Sequence, residues 1–82
     1  MGLTQECIES KIKKEEYIKI GRKTTVGCFT LENGFEIVTS SACVKEEDYD
    51  EEIGKEICRK QAINKIWELE GYLIQEHFYL YK

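Results

Sequence analysis

The chain has 82 residues, of which 34% are charged and 41% hydrophobic, and its formal net charge is −4. A chain of this length forms one domain with a small core, because it buries only about 60–65% of its unfolded surface. The acidic balance argues against duplex nucleic acid as a partner. We therefore expect a single domain over residues 1–82, with a core supplemented by a disulfide, a metal or another subunit.

The cysteines carry no metal or disulfide signature. They lie at Cys7, Cys28, Cys43 and Cys58, too far apart for a metal knuckle or a redox pair, and the only histidine is His77. No signal peptide and no apolar run of membrane-spanning length is expected, and a cytosolic chain keeps its thiols reduced. We therefore predict core or near-core cysteines, no metal, no cofactor, no membrane partner, and a homo-oligomer.

The first segment, Thr4 to about Glu16, predicts a short helix. Thr4 is a suitable N-cap, and Cys7, Ile8 and Ile12 form a narrow apolar stripe at helical spacing. Residues 17–20 either continue this helix or begin the sheet. Gly21 ends the element in both cases.

A β-hairpin is predicted around Asn33-Gly34. A two-residue loop would place polar and apolar side chains on both faces of the hairpin. A three-residue loop, Glu32 to Gly34 with Gly34 left-handed, pairs Phe29 with Ile37 and gives one apolar face. We therefore predict the three-residue loop.

The two faces of this hairpin differ in composition. The predicted buried face carries Phe29, Leu31, Phe35 and Ile37, and the other carries Cys28, Thr30, Glu36, Val38 and Ser40, together with Val26. The second face is more apolar than an exposed face requires, which indicates a partner on the outer side of the sheet.

A long helix follows, capped by Asp48 or Asp50 and running to about Glu76. Two apolar stripes lie along it: Ile53, Ile57, Cys58, Ala62, Ile66, Leu69 and Leu73 in one, Ile63, Trp67 and Ile74 in the other. The small residues Gly54, Cys58 and Ala62 pack either on the chain's own sheet or on the same helix of a second subunit. The aromatic residues after Glu76 either prolong the helix or add an edge strand. The predicted fold class is α+β: a short N-terminal helix, an antiparallel hairpin and a long C-terminal helix packed on the sheet (α-β-β-α).

No residue set indicates catalysis, and we expect a protein that is not an enzyme. One polar set at the open end of the hairpin is suited to an anion, because cations and hydroxyls converge there: Arg22, Lys23, Thr24, Thr25, Ser40 and Ser41. Hydroxyl side chains are also common in strands for their β-propensity alone.

Several motifs resemble a family of small tailed-phage proteins, known from gene products of a coliphage and a Shigella phage and recurring in prophages. The most specific motifs are Asn33-Gly34-Phe35 and Ile66-Trp67-Glu68-Leu69-Glu70-Gly71-Tyr72, and the resemblance covers about residues 8–75. Thr39 stands where the family commonly has glycine, and Cys58 where it tends to have alanine. The resemblance transfers no catalytic residue and implies a phage or prophage protein acting in the host bacterial cytoplasm.

Two functions fit this context. The first is a counter-defence oligomer that sequesters a small anionic nucleotide signal at the Arg22 to Thr25 and Ser40-Ser41 set, with aromatic side chains available to stack on bases. The alternative is a protein-interaction module that binds and modulates a host protein.

Overall fold

The computed structural model describes residues 3–82, so the first two residues of the predicted domain lie outside it. The elements in chain order are α1 (Gln5–Ser10), β1 (Ile12–Ile20), β2 (Thr24–Leu31), β3 (Glu36–Ala42), a 3-10 turn (Glu46–Asp48) and α2 (Glu51–Leu80). The strands form one antiparallel sheet in the order β1-β2-β3, and α2 packs on one face of it. The predicted α+β class is confirmed.

The N-terminal segment differs from its prediction. Thr4 caps α1 as expected, with its hydroxyl accepting from the amide of Cys7 at 3.1 Å, but the helix ends at Ser10 rather than near Glu16. The following residues form the edge strand β1. A bulge at Lys13 shifts the register, because Ile12 pairs with Leu31 while Lys14 pairs with Thr30. The bulge breaks the two-residue alternation that would have identified the strand.

The hairpin between β2 and β3 has the predicted three-residue loop. Phe29 pairs with Ile37, the amide of Leu31 donates to the carbonyl of Phe35 at 2.8 Å, and the amide of Gly34 donates to Leu31 at 2.9 Å. Gly34 has φ +91°, a left-handed conformation that glycine adopts without a steric penalty. Gly34 is therefore needed for the geometry of the turn.

The core lies between the inner face of the sheet and α2. Its buried hydrophobic residues are Ile8, Phe29, Ile37, Cys58, Ala62, Ile63 and Ile66. Leu31 is half-buried against this cluster, but Phe35 remains 53% exposed. The prediction of Phe35 as a core residue is therefore wrong. Phe35 precedes β3 at the end of the sheet, where less of the structure covers it.

The N-terminal half of α2 packs tightly on the sheet. Asp50 caps it, its carboxylate accepting from the amides of Glu52 and Ile53 at 3.0 and 3.2 Å. Gly54, Cys58 and Ala62 are all buried, and the Cys58 thiol donates to the carbonyl of Thr25 at 3.5 Å. The small-residue ridge thus serves packing on the chain's own sheet, the first of the two predicted alternatives.

The C-terminal part of α2 extends beyond the sheet. We call residues 71–82, the last turns of α2 and the two residues after it, the overhang. Its large apolar side chains are 40–75% exposed: Tyr72, Leu73, Ile74, Phe78, Tyr79, Leu80 and Tyr81. The aromatic tail therefore prolongs the helix and adds no strand.

The outer face of the sheet is exposed, as the predicted partner on that side would require. On the outer face of the sheet, Ile18 is 59% and Val38 is 65% exposed, and no described helix covers them.

Of the cysteines, Cys58 is buried, Cys28 and Cys43 are half-buried, and Cys7 is exposed. The prediction of core or near-core cysteines thus fails for Cys7.

Candidate functional site

The residues predicted to bind an anion divide between the two faces of the sheet. Thr25 pairs with Ser41, and both lie on the inner face. Ser40 pairs with Val26 on the outer face, where Thr24 also points, because successive strand residues alternate between faces. The strands therefore bring the hydroxyls to one end of the sheet but not to one surface.

Three of these side chains already have partners. The Lys23 ammonium donates to the carbonyl of Val44 at 2.7 Å, and the buried Thr25 hydroxyl is 2.9 Å from the hydroxyl of Tyr49. Arg22 lies 3.7 Å from Glu46, and its side chain is 83% exposed. Arg22 is thus largely exposed despite this ion pair.

The cavity beside Thr25 is small and contains acidic groups. It has a volume of about 80 Å³, and its lining includes Lys23, Thr25 and Ser41 from the predicted set. Asp48 and Asp50 line the same cavity. Sites for drug-sized ligands usually measure about 300–1,000 Å³, so this cavity does not enclose a nucleotide.

A larger concave surface lies between the β2–β3 loop and α2. We call it the loop–helix groove. It has a volume of about 240 Å³ and is lined by Lys11, Leu31, Glu32, Asn33, Phe35, Ile66, Leu69, Glu70, Tyr72 and Leu73. Phe35, Tyr72 and Leu73 are each more than half exposed, so the mouth of the groove is apolar.

One lysine and two carboxylates form the polar edge of the loop–helix groove. The Lys11 ammonium lies 2.8 Å from Glu70 and 3.5 Å from Glu32. The hydrogen bond to Glu70, supported by the charges of both carboxylates, holds the pKa of Lys11 above its usual value. Lys11 therefore stays charged and paired, and the lining of the groove has one more carboxylate than cations, with Lys13 lying outside it at 4.0 Å from Glu32.

Sequence reasoning missed this groove, although the lengths of the elements contain a signal for it. A helix of 30 residues is about 45 Å long, whereas strands of 7 to 9 residues reach about 23–30 Å. The sheet cannot cover such a helix over its whole length. Apolar residues at one end of α2 must therefore lie beside the hairpin loop or beyond it.

A second polar cluster joins three elements. Arg59 of α2 donates to Glu9 of α1 at 3.1 Å and to Glu15 of β1 at 3.2 Å, and the Tyr17 hydroxyl donates to Glu15 at 2.6 Å. Burial, followed by the hydrogen bond to Glu15, raises the pKa of Tyr17. Each carboxylate of the cluster accepts two hydrogen bonds, so the role of the cluster is to fasten α1 and β1 to α2.

The remaining titratable groups form no reactive arrangement among residues 3–82. His77 contacts the rings of Phe78 and Tyr81, with centroids 5.9 and 5.0 Å away. Within the same residues, no group of His, Cys, Asp and Glu side chains could hold a metal ion. Nor is any helix in this part of the chain long and apolar enough to cross a membrane.

The fold is a small α+β domain in which one long helix covers one face of a three-stranded sheet. The family model described as "Phage protein (N4 Gp49/phage Sf6 gene 66) family" matches residues 3–78. The chain belongs to this family of phage proteins, and the family resemblance in the sequence is confirmed. No curated protein and no solved structure matches the chain.

Proposed function

We propose that the chain is a non-enzymatic phage protein that acts in the host cytoplasm by binding a host protein. The loop–helix groove is its binding site, and the occupant is an apolar peptide segment with a basic flank. The observation that carries this proposal is the exposure of Phe35, Tyr72 and Leu73 at the mouth of the groove. Contiguous exposed apolar side chains with a polar edge are typical of protein interaction sites.

The size of the groove supports a peptide rather than a whole small molecule. Its volume of about 240 Å³ is below the usual range of about 300–1,000 Å³ for ligand pockets. Apolar anchors of a partner protein would enter the groove, while the rest of the partner lies on the surrounding surface.

The charges at the edge favour a basic flank on the partner. Glu70 is engaged by Lys11, whereas the Glu32 side chain is 50% exposed and lies 3.5 and 4.0 Å from Lys11 and Lys13. Opposite charge at the rim favours the correct partner and speeds association.

The test is site-specific photo-crosslinking in the host bacterium, with a photoreactive amino acid replacing Phe35. The cross-linked host protein is identified by mass spectrometry and purified, and its affinity is measured by calorimetry. We expect Phe35→Asp to weaken binding about 30-fold or more, because a charge replaces one of the three exposed apolar side chains at the mouth of the groove.

The matched control is Val38→Asp on the outer face of the sheet, where the side chain is 65% exposed. This variant should bind the partner as the unmodified chain does. Circular dichroism establishes that both variants are folded. Equal binding by the Phe35→Asp variant and the unmodified chain would refute the groove as the site.

Sequestration of a nucleotide signal by an oligomer is the second candidate function. The observation in its favour is the accessible guanidinium of Arg22, whose side chain is 83% exposed beside Lys23. A phosphate group bound there would lie at the sheet end that also carries Thr24 and Ser40.

Calorimetric titration with cyclic nucleotides and ADP-ribose derivatives tests this second function. Binding that is lost in an Arg22→Ala, Lys23→Ala variant and retained in a Lys13→Ala, Lys14→Ala variant would support it. Absence of binding by the unmodified chain would refute it.

A further inference from the structure

We propose that the partner segment bound in the loop–helix groove is an amphipathic α-helix, an inference that rests on the proposed function. The apolar face of this helix lies between α2 and the hairpin loop, and a basic side chain on its polar face lies beside Glu32. A bound peptide can instead be extended and pair its backbone with the edge of a sheet. The strand positions, the hydrogen bonds and the side-chain spacing around the groove all favour the helix.

No strand edge borders the loop–helix groove. Its lining comes from α2, from the β2–β3 loop with the residue on either side of that loop, and from Lys11, which precedes β1. The two edge strands, β1 (Ile12–Ile20) and β3 (Glu36–Ala42), contribute no lining residue. An extended peptide adds to a sheet by pairing with an exposed edge strand. The groove therefore offers an extended peptide no strand to pair with.

The backbone amides at the hairpin wall of the groove are already used. Those of Leu31, Gly34 and Phe35 donate within the hairpin, to the Phe35 carbonyl at 2.8 Å, the Leu31 carbonyl at 2.9 Å and the Asn33 side chain at 3.0 Å. The amide of Glu32 donates to the carbonyl of the C-cap residue of α1 at 2.9 Å. These amides could bind a peptide only by breaking the hydrogen bonds that hold the turn.

The helical wall of the groove is equally closed to backbone pairing. Ile66, Leu69, Tyr72 and Leu73 lie inside α2 (Glu51–Leu80), where amides and carbonyls bond one turn along the helix. A segment that leaves water between the two walls must therefore satisfy its own backbone groups, because buried unpaired amides and carbonyls are costly. An α-helix does so within a single segment.

The apolar row on α2 has the spacing at which two helices pack. Ile66, Leu69 and Leu73 are separated by three and four positions and span about 10 Å. Ile66 is buried, whereas Leu73 is 60% exposed at the mouth of the groove. Rows with this spacing pack between the side-chain rows of a second helix. The partner helix therefore presents apolar side chains at positions i, i+3 or i+4, and i+7, and Phe35 and Leu31 contact its other side.

The carboxylate that is available to the partner helix is that of Glu32. The Glu70 side chain is only 18% exposed and lies 2.8 Å from the Lys11 ammonium, whereas the Glu32 side chain is 50% exposed. A lysine or arginine one turn from an apolar contact residue lies on the same flank of the partner helix. Opposite charge at the edge of an interface helps to fix the register of the partner.

Two synthetic peptides with the same amino acids in different orders test the conformation. Each has about 18 residues, long enough for a helix to form on binding. The helical peptide has leucine at i, i+3, i+4 and i+7 and lysine or glutamine elsewhere, and the alternating peptide has leucine at every second position, the period of a strand. We expect the full chain to bind the helical peptide at least about tenfold more tightly in fluorescence anisotropy, with a gain of helical circular dichroism.

Two variants of equal charge locate the bound peptide. Phe35→Asp and Val38→Asp each add one negative charge, so a purely electrostatic attraction to the cationic peptide would rise in both. We expect Phe35→Asp to weaken binding of the helical peptide about tenfold or more and Val38→Asp to change it less than about twofold. Glu32→Gln should weaken it about two- to fivefold, because this substitution removes the exposed carboxylate.

Equal affinity for the two peptides, no binding of either, or unchanged binding by the Phe35→Asp variant would overturn the helical occupant. A second copy of the chain in the groove would also overturn it, and sedimentation equilibrium would show self-association that Phe35→Asp abolishes. Cross-linking of a host protein at position 35 without a preference for the helical peptide would overturn the helix alone. Preference for the helical peptide without a cross-linked host protein would support the helix-binding groove and refute the proposed function.

Discussion

At the scale of single residues, Gly54 fixes how closely α2 approaches the sheet. A Cβ atom at this position would collide with the Thr25 hydroxyl and lie 3.0 Å from the Thr25 Cβ. Thr25 cannot move freely, since it is buried and its hydroxyl is hydrogen-bonded to the hydroxyl of Tyr49. The close crossing therefore depends on a residue without a side chain.

We predict that Gly54→Ala lowers the free energy of unfolding by about 2 kcal/mol, although alanine is the better helix former, because the added methyl overpacks the crossing. Urea denaturation followed by circular dichroism measures the change. Gln61→Ala, an exposed position on the same helix, serves as the control and should change stability by less than about 0.5 kcal/mol. A Gly54→Ala protein as stable as the unmodified chain would contradict the tight crossing.

Phe35 illustrates what sequence reasoning can and cannot predict at a single position. Its place opposite Leu31 followed correctly from the alternation of apolar residues and the three-residue loop. Its exposure did not follow, because burial depends on whether a helix lies opposite that position. Alternation identifies a face of the sheet, not how far the covering layer extends.

At the scale of elements, Arg59 holds α1 and β1 against α2. The hydrogen bond from Gln5, followed by that from Arg59, lowers the pKa of Glu9 below its ordinary value of 4.5. A carboxylate with a lowered pKa contributes stability above its ordinary pKa and loses that contribution as the pH falls through the folded-state pKa. The attachment of α1 should therefore weaken below about pH 4.5.

We predict that Arg59→Met lowers the melting temperature by roughly 2–5 °C at pH 7, because two ion pairs between elements are lost. The difference from the unmodified chain should shrink as the pH is lowered below about 4.5. Thermal unfolding over a pH series measures both effects. Lys60→Met, at the exposed neighbouring position, is the control, and a difference independent of pH would show that the ion pairs contribute nothing.

The elements themselves were predictable to different degrees. The hairpin followed from its turn residues and from the need to bury one face, and the start of α2 followed from the capping aspartate and the acidic residues after it. The strand β1 did not follow. Its many charged residues and the bulge at Lys13 obscure the alternation of apolar and polar residues. Its pairing with β2 depends on tertiary contacts, which local propensity does not determine.

At the scale of the whole molecule, the two halves of α2 differ in what protects them. The first half is covered by the sheet, whereas the overhang has no covering within residues 3–82. An unsupported helical end of this length is marginal in water. The overhang should therefore open more readily than the covered half.

We predict that amide hydrogens in residues 71–80 exchange about 100-fold faster than those in residues 55–66, because the core covers only the earlier part of the helix. Hydrogen exchange followed by mass spectrometry measures the two regions together. Equal protection of the two regions would contradict the predicted opening of the overhang.

The candidate sites were less predictable than the fold. The residues predicted to bind an anion are near one another along the hairpin. Because strand side chains alternate between faces, Thr24 and Ser40 lie on the outer face and Thr25 and Ser41 on the inner one. The loop–helix groove brings together Lys11, Phe35 and Leu73, which are far apart in the chain. Their meeting depends on packing between elements, which no local motif specifies.

The position of α2 after the three strands also sets the order of events during synthesis. Phe29 and Ile37 are made first, and the residues that cover them, Cys58, Ala62 and Ile66, follow later in α2. Until α2 is made, the apolar face of the nascent sheet is uncovered. Exposed apolar surface and unpaired strand edges promote aggregation. The charged residues of β1 lie along one edge of this sheet, and charged edge strands disfavour pairing with strands of other chains. The strand that was hardest to recognise is thus the one that protects this edge of the sheet until α2 is made.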